Sequence, residues 1–292
     1  MTKKQSLAEI IQSERLAQDS PEMQTIIESR NEIQRLIQSE YGHNEISIRY
    51  GGSKAKGTIL LREHDSDLLV YFHRNNESAG STLSEIYHAI KETLETQYHT
   101  EPGTTSLRVF RKSGNSVRSL KVDVVPGRFV HGSDGNVHLH QNGGAKDYLL
   151  TNPEKHIQHV TQSGVVPALC GLKLWKIMNA VAIKQFPFEL LCIDLLSPLK
   201  KYQLEDQIRL VLESIAEMDS PPRVEDPANP SNDVSSALKI TWPDVQMAAR
   251  GSIQRLDYGW TDALGLPDKA SRDEQIFAMA ASVRTPTKPW AN

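Results

Sequence analysis

Residues 50–70 read Tyr50-Gly51-Gly52-Ser53-Lys54-Ala55-Lys56-Gly57-Thr58-Ile59-Leu60-Leu61-Arg62-Glu63-His64-Asp65-Ser66-Asp67-Leu68-Leu69-Val70, and this stretch decides the fold. A Gly-Gly-Ser turn stands about a dozen residues before two carboxylates spaced by two. Successive side chains on a strand point to opposite faces. Asp65 and Asp67 therefore project together, and Ser66 points away. Leu68, Leu69 and Val70 run on into Tyr71-Phe72, as a buried strand would. Two carboxylates on one face repel each other unless something positive sits between them. A hard, oxygen-liking cation such as Mg²⁺ meets that need. Further along, Asp123 lies in its own strand-like run, Leu120-Lys121-Val122-Asp123-Val124-Val125, placed to complete the carboxylate cage.

The rest of the composition bounds the class. A chain of 292 residues fits one large domain or two small ones, and 38% hydrophobic residues suffice for a core. Mean hydropathy is negative and no apolar run reaches the length of a membrane span, so no membrane contact is expected. Met1-Thr2-Lys3-Lys4-Gln5-Ser6 carries charge without an apolar h-region, so no secretory signal is expected. Cys170 and Cys192 sit among apolar residues and read as reduced core thiols of a cytoplasmic protein. The net charge of −3 argues against a long nucleic acid as partner, which usually demands a basic stripe. Arg108, Arg111, Lys112, Arg118, Lys121 and Arg128 cluster around Asp123. They read as a solvated hairpin face or, more sharply, as a positive rim around a triphosphate pocket.

Periodicity places the elements. Asp19-Ser20-Pro21-Glu22 starts a helix that Tyr41-Gly42 ends. Ile46 to Tyr50 alternates as a strand into the Gly-Gly-Ser turn, and a short helix is expected around 54–58. Residues 64–72 read as the metal strand and Leu83 to Tyr98 as a helix. Residues 107–110 and 117–125 alternate around Ser113-Gly114-Asn115, a hairpin signal. Beyond residue 150 long helical patterns take over, at 166–184, 188–197, 204–218 and 235–256, with a loop at 221–231. Ser271-Arg272-Asp273-Glu274 reads as a capping box opening a last helix. The expected organisation is α+β over 1–150, a catalytic half with an N-terminal helix, and a helical half over 151–292 that closes a nucleotide cleft.

The Gly-Gly-Ser, Asp-x-Asp and distant third Asp together resemble the polymerase β-like nucleotidyltransferase superfamily. Four further segments narrow the resemblance: Thr151-Asn152-Pro153-Glu154-Lys155-His156, Gly171-Leu172-Lys173-Leu174-Trp175-Lys176, Phe186-Pro187-Phe188-Glu189-Leu190-Leu191, and Asp226-Pro227-Ala228-Asn229-Pro230-Ser231-Asn232. The last is similar to the Asp-Pro-x-x-Pro-x-Asn loop of 2′–5′-oligoadenylate synthetases, archaeal CCA-adding enzymes and the bacterial cGAS/DncV-like nucleotidyltransferases (CD-NTases). The chain has neither a Cys-rich stretch for a zinc insertion nor an added RNA-binding domain, which points to the CD-NTases. The resemblance implies a polymerase β-like core with a C-terminal helical domain of oligoadenylate synthetase type. It implies an enzyme making a cyclic di- or trinucleotide, or a related oligonucleotide, from NTPs in CBASS antiphage defence, with regulatory proteins of a defence operon as partners.

The same resemblance assigns roles. Ser53 and the backbone near Gly52 would hold the β/γ-phosphates, as a turn opening a helix suits an anion. Asp65 and Asp67 would bridge two Mg²⁺ ions, or Mn²⁺ in their place. Asp123 would bind the second ion and accept the proton of the attacking ribose hydroxyl. Lys173 matches a triphosphate-binding lysine, and Lys176 shares its helix face. For both the plainer alternative is an ordinary surface lysine. Phe186 falls where an aromatic stacks on a base, or else packs in the core. Asp226, Asn229 and Asn232 read as loop braces, and His138 and His140 as exposed hairpin residues rather than a metal site. Two other readings stand beside the cyclase: a template-independent RNA-tailing polymerase, and a catalytically inactive nucleotide-binding protein.

Overall fold

Ser20 accepts a hydrogen bond from the Met23 N–H and Pro21 occupies the first turn, so the long N-terminal helix starts where those residues expect. It ends at Gly42, whose φ of 82° lies outside the range of most side chains. A computed structural model describes residues 6–63, 66–111, 122–143 and 146–267, together with 271, 274 and 275. Asp65, Lys112, Arg118, Lys121, the Ser113-Gly114-Asn115 turn, Arg272 and Asp273 lie outside the described residues, as do residues 276–292.

In chain order the first elements are α1 (Leu7–Glu14), α2 (Pro21–Tyr41), β1 (Ile46–Tyr50), α3 (Gly52–Ala55), β2 (Ser66–Phe72), α4 (Leu83–Glu95), β3 (Tyr98–Pro102), β4 (Leu107–Arg111) and β5 (Val122–Phe129). Then follow β6 (Val137–His140), β7 (Tyr148–Thr151), α5 (Pro153–Thr161), α6 (Val166–Met178), α7 (Gln185–Leu196), α8 (Leu204–Glu217), β8 (Glu225–Asp226), β9 (Asn229–Asp233), α9 (Ser236–Lys239), α10 (Trp242–Arg255) and α11 (Trp260–Ala263). The chain divides into two compact units. One takes residues 17–56, 66–111, 122–143 and 146–157, and the other 6–16, 57–63 and 158–267.

The first unit is built on a sheet of order β1-β2-β5-β4-β3, with β6 also paired to β5 and β7 to β6. β2 and β5 run parallel in register, Asp67 opposite Asp123. Every other pairing in this sheet is antiparallel. Alternation sorts the strand side chains onto two faces. Leu68, Val70, Phe72, Val122 and Val124 pack under α2 and α4 with Ile33, Ile37, Ile86 and Ile90. Leu69 and Tyr71 pack on the other face with Val137 and Leu139.

In the second unit α1 packs against α6, α8 and α11, and the core gathers Leu172, Trp175, Leu191, Ile208 and Val211. Trp175 Nε1 donates to Ser252 Oγ at 2.8 Å, which satisfies the indole inside the core. Glu14, fully buried, accepts from Arg62 Nε at 2.7 Å and Nη2 at 3.1 Å. That fork ties the segment 57–63 to α1, as does the Arg15 Nη2 bond to the Gly57 carbonyl.

The sequence reading placed several boundaries differently. The helix expected near 54–58 lies earlier, at Gly52–Ala55. The helix expected to reach Tyr98 stops at Glu95, because Tyr98 pairs with Arg111 as the first residue of β3. The expected helix over 235–256 is broken in two: Pro243, lacking an N–H, sits in the first turn of α10. The 221–231 loop carries the small ribbon β8–β9, in which Asp226 accepts from the Ala228 N–H at 2.8 Å and from Asn232 at 3.3 Å. This is the bracing expected of those Asx residues.

Candidate active site

Within the sheet unit the turn and the carboxylates meet. Gly51 donates its N–H to the Asp67 carbonyl at 3.0 Å, so the turn folds back onto the start of β2. Gly52 follows with φ 57°, a left-handed conformation that glycine adopts without strain. A Cβ on Gly52 would lie 1.6 Å from Asp67 Oδ2 and 2.7 Å from its Cγ. The bare backbone of the turn therefore stands directly against the Asp67 carboxylate, and only glycine fits there. Ser53 is the next residue, on α3, half-exposed.

Asp67 and Asp123 are directly opposite on adjacent parallel strands. Such neighbours point to the same face and lie about 4.8 Å apart along the hydrogen-bonding direction. Both are partly buried. Arg108, opposite Asp123 on β4, brings its Nε to 3.5 Å from Asp123 Oδ1. A cation there lowers the repulsion between the carboxylates. Among the described residues no three His, Cys, Asp or Glu side chains form a metal cluster. The two described carboxylates nevertheless offer only oxygen donors on one face, with the bare Gly52 backbone packed against Asp67, and this donor set suits a hard divalent cation.

Among the described residues of the basic cluster, Arg108 is the one placed against Asp123 on the neighbouring strand. Arg111 pairs with Glu32 at 3.0 Å. Arg128 donates to the carbonyls of Asn76, Gly80 and Ser81, which makes it a loop clamp. His138 packs against Tyr148, the ring centres 4.7 Å apart and the planes tilted by 60°, and is partly buried, so its expected exposure is not what the structure gives.

In the helical unit Lys173 and Lys176 share one face of α6 and neither is an exposed surface lysine. Lys173 is 4% exposed. Burial pulls its ammonium below the usual lysine range, against the attraction of Glu63 and Glu189. It lines a cavity of about 10 Å³, room for one water, together with Thr58, Gln185, Phe188, Glu189 and Cys192. The Thr58 hydroxyl in that lining is buried and has no hydrogen-bond partner among the described residues. Lys176 donates to Gln185 Oε1 at 3.0 Å and stands 3.9 Å from Glu63. Phe186, on α7, is partly buried and packed against the helical core.

Sequence reasoning missed Glu63, Gln185 and Glu189 as neighbours of the lysines. Glu189 carried a signal, a charge inside the apolar run Phe188-Glu189-Leu190-Leu191, whereas Glu63 and Gln185 stand beside polar neighbours and carried none. It also left Arg108 undistinguished within its cluster.

No protein-family model and no curated protein matches the chain. Solved structures do match. The Bradyrhizobium diazoefficiens CD-NTase CdnG, in complex with GTP, is 11% identical, covers 94% of this chain and 97% of its own, and has a TM-score of 0.67. The Elizabethkingia meningoseptica cyclic dinucleotide synthase CdnE, with GTP and Apcpp, is 15% identical over 87% of this chain and 99% of its own, at 0.63. The Cid1 poly(U) polymerase, in a form bound to MgATP, is 12% identical over 90% of this chain and 98% of its own, at 0.62. At such identities the likeness speaks for the fold. The chain has the polymerase β-like nucleotidyltransferase fold, which it shares with these CD-NTases and with the poly(U) polymerase.

Proposed function

We propose that the protein is a divalent-metal-dependent nucleotidyltransferase that condenses NTPs into a cyclic di- or trinucleotide, or a related oligonucleotide, as a second messenger of antiphage defence. The observation that carries the reading is the placement of Gly52 against Asp67, with Asp123 in register beside it. A phosphate-holding turn and oxygen ligands on one face are what phosphoryl transfer needs, since its catalysis is mainly positioning and charge stabilisation.

In this reading Asp65, Asp67 and Asp123 hold the Mg²⁺ ions, which when bound neutralise phosphate charge and acidify the attacking hydroxyl. Asp123 takes the proton from that hydroxyl. Ser53 and the Gly52 backbone orient the β/γ-phosphates. Lys173 and Lys176 supply positive charge for the triphosphate, and Phe186 supplies an aromatic face for a base. An inactive nucleotide-binding protein would have no use for paired, in-register carboxylates. The similar structures that hold GTP support NTPs as substrates, and CdnE, a cyclic dinucleotide synthase, supports the product class. Regulatory proteins of the same defence operon are the partners we propose, and the cytoplasm the compartment. Among the described residues no helix is long and apolar enough to cross a membrane.

The likeness to a poly(U) polymerase favours a second reading, template-independent tailing of RNA. Incubation with the four NTPs and Mg²⁺, with and without RNA, separates the two. The cyclase makes short products without RNA and does not lengthen RNA when it is supplied. A tailing enzyme extends an RNA 3′ end with a rate that falls steeply with salt.

A further inference from the structure

The helix α3 that carries Ser53 spans four residues and has no side-chain cap. A helix this short does not hold its own shape, since one turn of hydrogen bonds does not offset the cost of nucleating it. Its backbone bonds are at the long end: Ala55 N–H to the Gly51 carbonyl at 3.4 Å and Lys56 N–H to the Gly52 carbonyl at 3.2 Å. Something outside α3 fixes it.

The Gly51 bond to the Asp67 carbonyl holds the start of the turn, and Tyr50, the last residue of β1, is a second anchor. The Arg30 guanidinium carbon, from α2, lies 3.4 Å from the centre of the Tyr50 ring, and the Lys54 Nζ, from α3, lies 3.8 Å from it. Both cations therefore lie within contact distance of one ring. The result is a stack of two cations on one aromatic ring. Each contact draws on the negative face of the ring. Neither Arg30 nor Lys54 has an ion-pair partner among the described residues. Among the described residues no carboxylate pairs with these charges, which add to the positive potential beside the turn. Arg30 is steadied from its own helix through Gln34.

We propose that Arg30, Tyr50 and Lys54 are positioning residues that clamp α3 between β1 and α2 and so hold Ser53 and Gly52 in the conformation that receives a nucleotide triphosphate. This rests on the nucleotidyltransferase reading above and adds three residues that none of its motifs contains. The stack acts through the turn: Lys54 pins α3 from within, Tyr50 fixes that pin at the strand end, and Arg30 meets the ring from α2.

Two readouts on the full chain test it, amide hydrogen exchange at Ala55 and Lys56 and steady-state kinetics with NTPs. Tyr50→Leu and Lys54→Met are expected to speed exchange at those two amides about tenfold, the weight of one such contact, with the rest of the sheet unit unchanged. They are expected to raise the KM for NTPs by a similar factor with kcat little altered. Tyr50→Phe keeps the ring face and Lys54→Arg keeps the cation, and both should restore wild-type exchange and KM. Lys54→Met removes charge from a half-exposed side chain, so it reports even where Tyr50→Leu disturbs the fold. Unchanged exchange in Lys54→Met overturns the clamp. Faster exchange with an unchanged KM overturns the phosphate role of the turn, and the proposal with it. Wild-type protein that neither turns over nor binds an NTP analogue, while the exchange pattern holds, sinks the nucleotide reading and leaves only a structural stack.

Discussion

Replacing Gly52 with alanine puts a methyl group where Asp67 stands. Two costs follow, and the structure separates them. The first is conformational: at φ 57° an alanine pays the left-handed penalty, roughly 1–2 kcal/mol. The second is steric. The new Cβ would lie 1.6 Å from Asp67 Oδ2, less than half a normal contact, so the carboxylate must swing away. Displacing a catalytic group by about 1 Å costs on the order of a hundredfold in rate. Gly57 is the control. Its φ is 70°, so the conformational penalty is similar, but nothing lies within 4 Å of its added Cβ. Both variants should lose about 2–4 °C in Tm per kcal/mol. Only Gly52→Ala should lose about a hundredfold or more in turnover of NTPs with Mg²⁺. Equal turnover in the two variants would show that the turn does not serve Asp67, and the site as drawn would be wrong.

Asp67→Asn and Asp123→Asn should each abolish turnover, and for Asp67→Asn the Tm without Mg²⁺ should hold or rise, because carboxylate repulsion is relieved with the Arg108–Asp123 pair left in place; a melting curve and an NTP assay on the same sample check both. Lys173→Ala should raise the KM for NTPs about 10- to 150-fold, from roughly 1.5–3 kcal/mol for a charge-assisted contact to a triphosphate. Burial lowers the Lys173 pKa, so the folded protein loses that proton before an ordinary lysine would as the pH rises. KM should therefore climb at a pH below the usual lysine range in the wild type and stay flat there in Lys173→Arg. Arg62→Leu leaves Glu14 as a buried charge without its fork, and chemical denaturation should show a loss of about 3–5 kcal/mol.

What the residues reveal without coordinates depends on range. β2 and β5 are legible because alternation and unbroken apolar runs are local, and Asp67 and Asp123 sit inside them. Their register is legible only as a consequence of a third carboxylate being needed. The contact of Gly52 with Asp67 is not legible: Gly-Gly-Ser serves any turn, and the approach depends on how β1 hands the chain to β2. Nor is the burial of Lys173. A lysine in an apolar helix reads as exposed until Glu63 and Glu189, from two distant segments, are seen to face it. The helix expected through Tyr98 failed for the same reason, since pairing to Arg111 outweighs a helical period. The attachment of 57–63 to α1 rests on Glu14 and Arg62, 48 residues apart, a partnership no local pattern signals.

The most direct test of the central claim is the chemical nature of the product. Purified protein is incubated with NTPs and Mg²⁺ in the absence of nucleic acid, treated with phosphatase, and the products are weighed by mass spectrometry. The account predicts a species whose mass equals two or three nucleotides joined with loss of every pyrophosphate, unchanged by phosphatase because a ring has no terminal phosphate. Products that lose phosphate under the enzyme and carry free ends, or product that forms only as an extension of added RNA, would contradict it.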